Sequence, residues 1–218
     1  VVGAINEDDK GIDAGAAYIL TRLGHNWVED TKFLASDGAA GDSFGYSVGV
    51  YSDTVVIGAR ADDDRGVDAG AVYVYRHDSG GWTETKLHAS DGAADDLFGT
   101  DVAIDGDYLV FGAPNDDDYG SYSGSAYVFK WNGTTWVQQA KLTINDVGSS
   151  GHLGINVDIE GDRILVAAFG HNNLTGAVYT FLRSGDSWVE EAKLQASDGA
   201  AGDHFGHSVA ISGGTAVI

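Results

Sequence analysis

The sequence contains no cysteine and no methionine, a single proline and few basic residues. The lack of cysteine excludes disulfide bonds, thiolate metal sites and cysteine nucleophiles. No run of about 18 apolar residues and no signal-peptide pattern is present, so the sequence offers no candidate for membrane insertion. With 33 acidic and 12 basic residues the net charge is −21. So acidic a surface argues against nucleic acid and anionic membranes as partners, and favours cations or a basic protein surface.

Glycine is abundant, at 32 of 218 residues, and the hydrophobic fraction is 43%. That fraction excludes a disordered acidic tail, and the length suffices to bury a core. We expect residues 1–218 to form a single repeat-built region.

A segment around Phe44 returns three times along the chain. The sequence LASDGAAGDSFGYSV recurs as HASDGAADDLFGTDV and QASDGAAGDHFGHSV, and in a divergent form as TINDVGSSGHLGINV. Spacings of 54, 55 and 52 residues separate the marker residues Phe44, Phe98, Leu153 and Phe205. A tryptophan recurs in nearly the same register, at Trp27, Trp82, Trp136 and Trp188. This self-similarity predicts four repeats, at approximately residues 1–54, 55–108, 109–163 and 164–218.

Each repeat predicts four short strands, A to D. In the second copy of the pattern they cover residues 44–50, 54–59, 71–75 and 82–89. Strands B and C are nearly continuous apolar runs, typical of strands covered on both faces, whereas strand D alternates with charged residues like an exposed edge. Tandem four-stranded units of this length predict an all-β fold, a β-propeller of four-stranded antiparallel blades. A β-solenoid is the rival, although its repeats are usually much shorter.

The motifs at both ends of this pattern resemble the FG-GAP repeat. That repeat builds the propeller of integrin α subunits and of many bacterial and algal surface proteins. Phe-Gly opens strand A at Phe44-Gly45, Phe98-Gly99 and Phe205-Gly206, and Gly112-Ala113-Pro114 closes a strand B. The resemblance implies a non-enzymatic adhesion module at an extracellular or cell-surface location.

One departure from the integrin version concerns Ca²⁺. The integrin repeat holds Ca²⁺ in a DxDxDG loop between strands A and B, whereas this chain has short hairpins there, such as Asp105-Gly106-Asp107. Such a turn is too short to surround a cation with six or more oxygens. The chain is similar to the bacterial-type variant with short A–B turns, and the integrin Ca²⁺ site is not carried over.

The predicted topology gathers the acidic residues on one side. In antiparallel blades the B–C and D–A loops share a face, and these loops hold 19 of the 33 acidic residues. We expect Lys10, Arg60 and Arg65 to be the only basic residues there.

Two interpretations of the B–C loops stay open. In one, alternating carboxylates and a turn glycine bind Ca²⁺. In the other, the acidic residues cap turns through their own backbone. The candidate metal ligands are Glu7, Asp9, Asp13, Asp62, Asp64, Asp68, Asp116 and Asp118.

The SDGAAGD segments have the same ambiguity, because Asp37 and Asp42 either share a cation or bond the backbone of their own loop. We favour the second, and expect the following phenylalanine and the strand D tryptophan to be core residues. His204 and His207 are expected on opposite faces of a strand, without a shared metal. Asn132 and Asn173 match the N-glycosylation pattern.

No catalytic motif such as GxSxG, HExxH or a P-loop is present. The leading hypothesis is a non-enzymatic binding or adhesion module that uses the acidic loop face, with or without Ca²⁺, to engage a protein or glycan. The first alternative is a structural unit of a surface layer, stalk or filament that stacks on neighbouring copies. The second is a propeller enzyme with its site in the central channel.

The two ends of the sequence fall within the same predicted strand, since Val217 aligns with Val1. We therefore expect an excerpt of a longer array. The alternative is a closed four-bladed ring, sealed by pairing the first and last strands.

Overall fold

The computed structural model describes all 218 residues, Val1–Ile218, and contains 17 β-strands and one helical turn. The strands form four successive antiparallel sheets and a terminal hairpin. Sheet 1 consists of β1 (Val2–Ala4), β2 (Ala16–Leu23) and β3 (Asn26–Phe33), and sheet 2 of β4 (Phe44–Tyr51), β5 (Thr54–Ala59), β6 (Ala71–Asp78) and β7 (Gly81–Leu87). Sheet 3 consists of β8 (Val102–Asp105), β9 (Tyr108–Ala113), β10 (Ser125–Trp131) and β11 (Trp136–Leu142). Sheet 4 consists of β12 (Leu153–Glu160), β13 (Arg163–Ala168), β14 (Ala177–Ser184) and β15 (Ser187–Leu194), and the hairpin of β16 (Ala210–Ser212) and β17 (Thr215–Val217).

Sheets 2, 3 and 4 confirm the predicted four-stranded unit, with each strand paired to the next along the chain. The first strands of successive sheets are neighbours: β4 contacts β8, β8 contacts β12, and β12 contacts β16. At the ends, β1 pairs only with β2 and β17 only with β16. The first and last strands therefore do not pair with each other.

The helical turn α1 (His171–Leu174) replaces the acidic B–C loop in sheet 4. Its central residues Asn172 and Asn173 have φ angles of 49° and 58°, in the left-handed region that asparagine tolerates. Both side chains are exposed.

The second and third strands of sheets 2 to 4 form the core, as their apolar runs predict. Every residue of β5 and β9 is buried. The marker residues Phe44, Phe98 and Leu153 are at most 1% exposed. Phe98 makes edge-to-face contacts with Phe111 and Tyr127, with ring centroids 5.4 Å apart in both pairs. The predicted core role of this position is confirmed in these three copies.

The strand D tryptophans do not all pack as predicted. Trp136 is 7% exposed and lies in the core. Trp82 and Trp188 are half-buried and pack against other parts of the core. Trp27 in sheet 1 is 66% exposed, so the prediction of a core role is wrong there. The reason is that the outer strand β3 has five consecutive exposed residues and no neighbouring sheet against its tryptophan.

The two glycines of the repeated motif meet across the boundary between sheets. A Cβ added to Gly112 would lie 1.7 Å from the carbonyl oxygen of Gly154, and one added to Gly58 would lie 2.1 Å from that of Gly99. Gly99 and Gly154 have φ angles of 86° and 88°, where a side chain is strained. Both positions therefore require glycine. Gly58 and Gly112 have no room for a Cβ, and Gly99 and Gly154 have a left-handed backbone conformation.

The last of these contacts is altered. Sheet 4 has Ala167 where Gly58 and Gly112 stand in the earlier sheets. A Cβ on Gly206 would lie 3.0 Å from the Ala177 carbonyl oxygen. The equivalent distances are shorter at the earlier boundaries, 2.6 Å from Gly99 to Ala71 and 2.2 Å from Gly154 to Ser125. Phe205, the marker residue beside this looser contact, is half-buried instead of buried. The substitution of alanine for glycine thus coincides with weaker packing of the terminal hairpin.

The first strands of sheets 2 to 4 and the hairpin line a cavity of about 350 Å³. Polar side chains in it bond the next strand along. The Asp101 carboxylate accepts hydrogen bonds from the Val157 amide (2.8 Å) and the Asn156 side chain (2.5 Å), and Asn156 accepts one from the Val209 amide (2.6 Å). Burial raises the pKa of Asp101 to about 6, despite these hydrogen bonds. The polar groups of the cavity therefore serve as links between sheets.

Substituting Gly112→Ala should lower the free energy of unfolding by about 3 kcal/mol, because the new Cβ has no room beside Gly154. The control Gly80→Ala also lies outside the left-handed region and meets only the flexible Asp78 side chain, at 3.2 Å. It should stay within about 0.5 kcal/mol of the parent in urea-induced unfolding. Equal effects of the two substitutions would contradict the inter-sheet contact.

Substituting Asp101→Asn should stabilise the fold above pH 6. A raised pKa means that the ionised Asp101 carboxylate destabilises the folded state relative to the unfolded chain. This destabilisation is complete above pH 6. It vanishes below about pH 4, where Asp101 is protonated in the folded and the unfolded chain alike. We expect a gain of about 1–2 kcal/mol at pH 7.5 and none at pH 3.5, measured by thermal unfolding. The exposed control Asp53→Asn, with the same charge change, should show no such pH dependence. A loss of stability at pH 7.5 would argue against a destabilising Asp101 charge.

Candidate functional site

The B–C loops and D–A loops lie on one face of the protein and bond each other. The Gly41 amide donates to the Ile12 carbonyl (2.9 Å), and the Asp95 amide donates to that of Val67 (2.8 Å). The predicted gathering of the acidic loops is therefore confirmed. We call this surface the loop face, formed by residues 5–15, 34–43, 60–70, 88–97, 114–124, 143–152, 169–176 and 195–204.

A lysine from strand D enters the acidic loops of sheet 3. The ammonium of Lys141 lies 2.8 Å from Asp91, 2.6 Å from Asp116 and 2.6 Å from Asp118. Asp116 and Asp118 belong to the B–C loop of the same sheet, whereas Asp91 belongs to the D–A loop that arrives from sheet 2. The cluster thus joins two loops through one amine.

Sheet 2 repeats this cluster. The ammonium of Lys86 lies 2.9 Å from Asp37, 2.7 Å from Asp62 and 2.5 Å from Asp64. Asp62 is buried, and the Lys86 side chain is only 15% exposed. The same arrangement in two sheets shows that the sequence register, and not an isolated surface contact, produces it.

The outer repeats have smaller versions of the cluster. In sheet 1, Lys32 pairs with Glu7 (2.5 Å) and Asp9 (2.6 Å). In sheet 4, Lys193 pairs with Asp146 (2.8 Å) and its ammonium lies 2.8 Å from Nε2 of His171. Burial, followed by the charge of Lys193, lowers the pKa of His171, which keeps the imidazole neutral and able to accept this bond.

A tyrosine from strand C supports each of the three later clusters. The hydroxyl of Tyr127 donates to Asp116 (2.8 Å), that of Tyr73 to Asp37 (2.8 Å), and that of Tyr179 to Asp146 (2.8 Å). Burial raises the pKa of all three tyrosines, so the hydroxyls remain protonated donors.

The charges in the clusters stabilise one another. Burial is the largest single influence on the pKa of Asp37 and Asp91 and acts to raise it. The hydrogen bonds and charges of Lys86 and Lys141, together with tyrosine and backbone hydrogen bonds, outweigh burial and hold both pKa values below the usual range. For Asp146 the hydrogen bond from Lys193 is the largest influence and also lowers the pKa. These carboxylates stay ionised to lower pH than free aspartate, and the stability they contribute is lost only as the pH falls through their lowered pKa values.

The predicted metal ligands are only partly brought together. Glu7 with Asp9, Asp62 with Asp64, and Asp116 with Asp118 share a lysine within each pair. Asp13 and Asp68 instead occupy left-handed positions in the loops, where their amides bond the side chains of Asp8 (2.9 Å) and Asp63 (2.8 Å). Their carboxylates join neither cluster.

One group of three carboxylates is compact enough to hold a metal ion. Asp91, Asp116 and Asp118 each place one oxygen within 4.8 Å of the others. Their donor set fits Ca²⁺ poorly, because the Lys141 ammonium already contacts all three and Ca²⁺ takes six to eight oxygens.

The second aspartate of the SDGAAGD segment bonds its own loop, as favoured from the sequence. Asp42 accepts a hydrogen bond from the Ala39 amide (2.7 Å), and Asp96 accepts one from that of Ala93 (2.7 Å). Burial raises the pKa of Asp96 to about 6, despite that bond. The first aspartate behaves differently, since Asp37 and Asp91 enter the lysine clusters.

The lysines were missed in the analysis of the sequence, which named only Lys10, Arg60 and Arg65 as basic residues of this face. That expectation is wrong, because strand D points its lysine toward the loops instead of into solvent at the edge. A signal was present: the four lysines recur at spacings of 54, 55 and 52, at Lys32, Lys86, Lys141 and Lys193.

The histidine prediction also needs correction. His204 and His207 lie outside the regular strands, and both rings pack against Phe169, with centroids 5.4 and 6.3 Å away. On its other side Phe169 stacks on His152 at 5.2 Å. The histidines thus belong to an aromatic stack on the loop face, not to opposite faces of a strand.

Among the helical segments of the structure, none has the length and apolar character needed to cross a membrane.

Comparison with known proteins agrees with this architecture. Integrin alpha-6 of Gallus gallus is 29% identical over 128 residues, a match that covers 56% of this chain and 12% of the integrin chain. The chain therefore spans far less than two thirds of that relative. The FG-GAP repeat model matches residues 27–75, 82–129, 136–181 and 188–218. Since these four matches cover most of the sequence, the chain belongs to the FG-GAP repeat family.

Proposed function

We propose that this chain is a non-enzymatic, extracellular binding module whose acidic loop face engages a basic surface of a protein partner. In this proposal the sheets are consecutive blades of a β-propeller. The cavity between the first strands and the neighbour relations of β4, β8, β12 and β16 support a radial arrangement.

The observation that carries the proposal is the concentration of uncompensated acid on the loop face. Asp8, Asp63 and Asp117 occupy the same position in three repeats, are exposed, and form no ion pair. Their charges add on one surface and attract a cationic partner over several ångströms.

Exposed aromatic side chains accompany these acids. Tyr119 is 60% exposed and Tyr122 is 46% exposed, and both lie in the B–C loop of sheet 3 beside Asp117. Tyrosines of this kind supply contact area in protein interfaces at low cost in conformational entropy. The loop face therefore offers both steering charge and contact area for a protein.

The alternative function, that of an enzyme, would have its active site in the cavity lined by the first strands. Its polar residues Asp101, Asn156 and Asp158 all accept hydrogen bonds from backbone amides of the next strand. Groups committed to such bonds are poorly placed to act on a substrate, which favours the binding module.

The location of the charge can be tested with two triple variants of equal net charge. Asp8→Asn/Asp63→Asn/Asp117→Asn alters the loop face, and Asp53→Asn/Asp78→Asn/Asp107→Asn alters exposed turns at the opposite ends of the strands. With a poly-lysine peptide as probe, we expect the first variant to lose about tenfold in affinity and the second to lose less than about twofold.

Binding is measured by calorimetry at two salt concentrations, since the attraction should weaken as salt screens it. Poly-glutamate is the negative control. Equal losses in both variants would mean that the charge is not focused on the loop face and would contradict the proposal.

A structural role in an assembly is a second candidate, favoured by the exposed apolar side chains of sheet 1. Leu23 is 61% exposed, Trp27 66% and Val28 39%. These side chains lie on both faces of the open edge strand β3 and the adjoining end of β2. Association of copies along this edge predicts a sedimentation coefficient that rises with concentration and falls again in Trp27→Ser. A single monomeric species at all concentrations would contradict this candidate.

A further inference from the structure

The clusters of Lys141 and Lys86 each contain as many carboxylates as an ammonium group has N–H donors. Around Lys141 there are three carboxylates, at 2.6–2.8 Å, and an ammonium carries three N–H donors. Lys86 is surrounded in the same way, at 2.5–2.9 Å. Two of the contacts in each cluster are hydrogen bonds, and the third, to the buried Asp116 or Asp62, is an ion pair.

The lysines are held in place by more than their charge. The ammonium of Lys141 lies 5.3 Å from the ring centre of Tyr127, and that of Lys86 lies 5.2 Å from the ring centre of Tyr73. Each tyrosine also donates to one carboxylate of the cluster. With side chains only 15–16% exposed, these lysines differ from mobile surface residues.

We infer that Lys86 and Lys141 are tethered cations that take the place of Ca²⁺ on the loop face. The loop face is thereby organised without metal. Removal of the Lys141 amine converts its cluster, in which the three carboxylates lie within 4.8 Å of one another, into a Ca²⁺ site. This inference is independent of the ligand proposed above, since it concerns only how the loops are held.

The donor set explains why the amine excludes the metal. Ca²⁺ must displace the ammonium and still find six to eight oxygens, whereas the cluster of Lys141 offers three carboxylates and one tyrosine hydroxyl. Without the amine, the converging charges of Asp91, Asp116 and Asp118 are uncompensated. The oxygens of Asp91 and Asp118 that the amine contacts become available, while Asp116 still accepts hydrogen bonds from the Tyr127 hydroxyl (2.8 Å) and the Asp118 amide (3.2 Å). Water can complete the coordination on the exposed side, where Asp91 and Asp118 lie.

The chain provides its own control for this inference. Lys193 has the same place in sheet 4, but only one carboxylate, that of Asp146, and one imidazole surround it. Removing this amine leaves too few oxygens for Ca²⁺. Substitution by methionine at Lys141 and at Lys193 therefore separates loss of a lysine from creation of a metal site.

The experiment is a titration of the full chain with Ca²⁺, in which binding is measured by calorimetry. The midpoint of thermal unfolding is then compared in Ca²⁺ and in EDTA. The parent and Lys193→Met should show a shift in midpoint of less than about 1 °C at millimolar Ca²⁺. Lys141→Met should unfold at lower temperature than the parent in EDTA and recover with Ca²⁺. Its affinity for Ca²⁺ should be at least about tenfold higher than that of the parent.

Two further variants secure the interpretation. Adding Asp118→Asn to Lys141→Met should remove the gained affinity. Lys141→Gln, which also removes the charge but keeps a polar side chain, repeats the test if Lys141→Met does not fold. Saturable Ca²⁺ binding by the parent that Asp118→Asn abolishes would overturn the inference. Failure of the folded Lys141→Met or Lys141→Gln protein to gain Ca²⁺ affinity would overturn it as well.

Discussion

The close approach of two glycine backbones at each boundary between sheets is the constraint on which the rest of this structure depends. Gly58 faces Gly99, and Gly112 faces Gly154, at distances that leave no room for a Cβ. This contact brings the first strand of each sheet against the second strand of the sheet before it. The marker residues Phe98 and Leu153, adjacent to these glycines, are thereby buried. Where Ala167 takes the place of the glycine, the corresponding Phe205 is less buried.

The same geometry sets the positions of the loops. Because each sheet is held at a fixed offset from the last, the D–A loop of one sheet reaches the B–C loop and strand D lysine of the next. Asp37 thus meets Lys86, and Asp91 meets Lys141. The loop face therefore has two kinds of acid: residues neutralised by lysine, and exposed residues such as Asp63, which form no ion pair and keep an uncompensated charge. The proposed binding role uses only the second kind.

The repeated motif was sufficient to predict the strands, the buried Phe44 and Phe98, and the gathering of acidic loops, because these follow from periodicity within one repeat. The lysine clusters were not predicted, since a lysine in an alternating outer strand also suits a solvated edge. Its role depends on the reach of its side chain into loops from two sheets. The exposure of Trp27 escaped prediction for a related reason: a tryptophan in the right register is buried only where a neighbouring sheet covers it.

Native-state hydrogen exchange tests most directly whether the glycine contacts hold the sheets together. The Phe98 amide donates to the Ala69 carbonyl (3.0 Å) across the boundary at which Gly58 faces Gly99, and the Phe205 amide donates to the Thr175 carbonyl (3.0 Å) across the boundary at which Ala167 replaces the glycine. The account predicts that the Phe98 amide exchanges only through global unfolding, and that the Phe205 amide exchanges through a local opening of the terminal hairpin at much lower free energy. Equal protection of the two amides would contradict the claim that this contact determines how firmly successive sheets are joined.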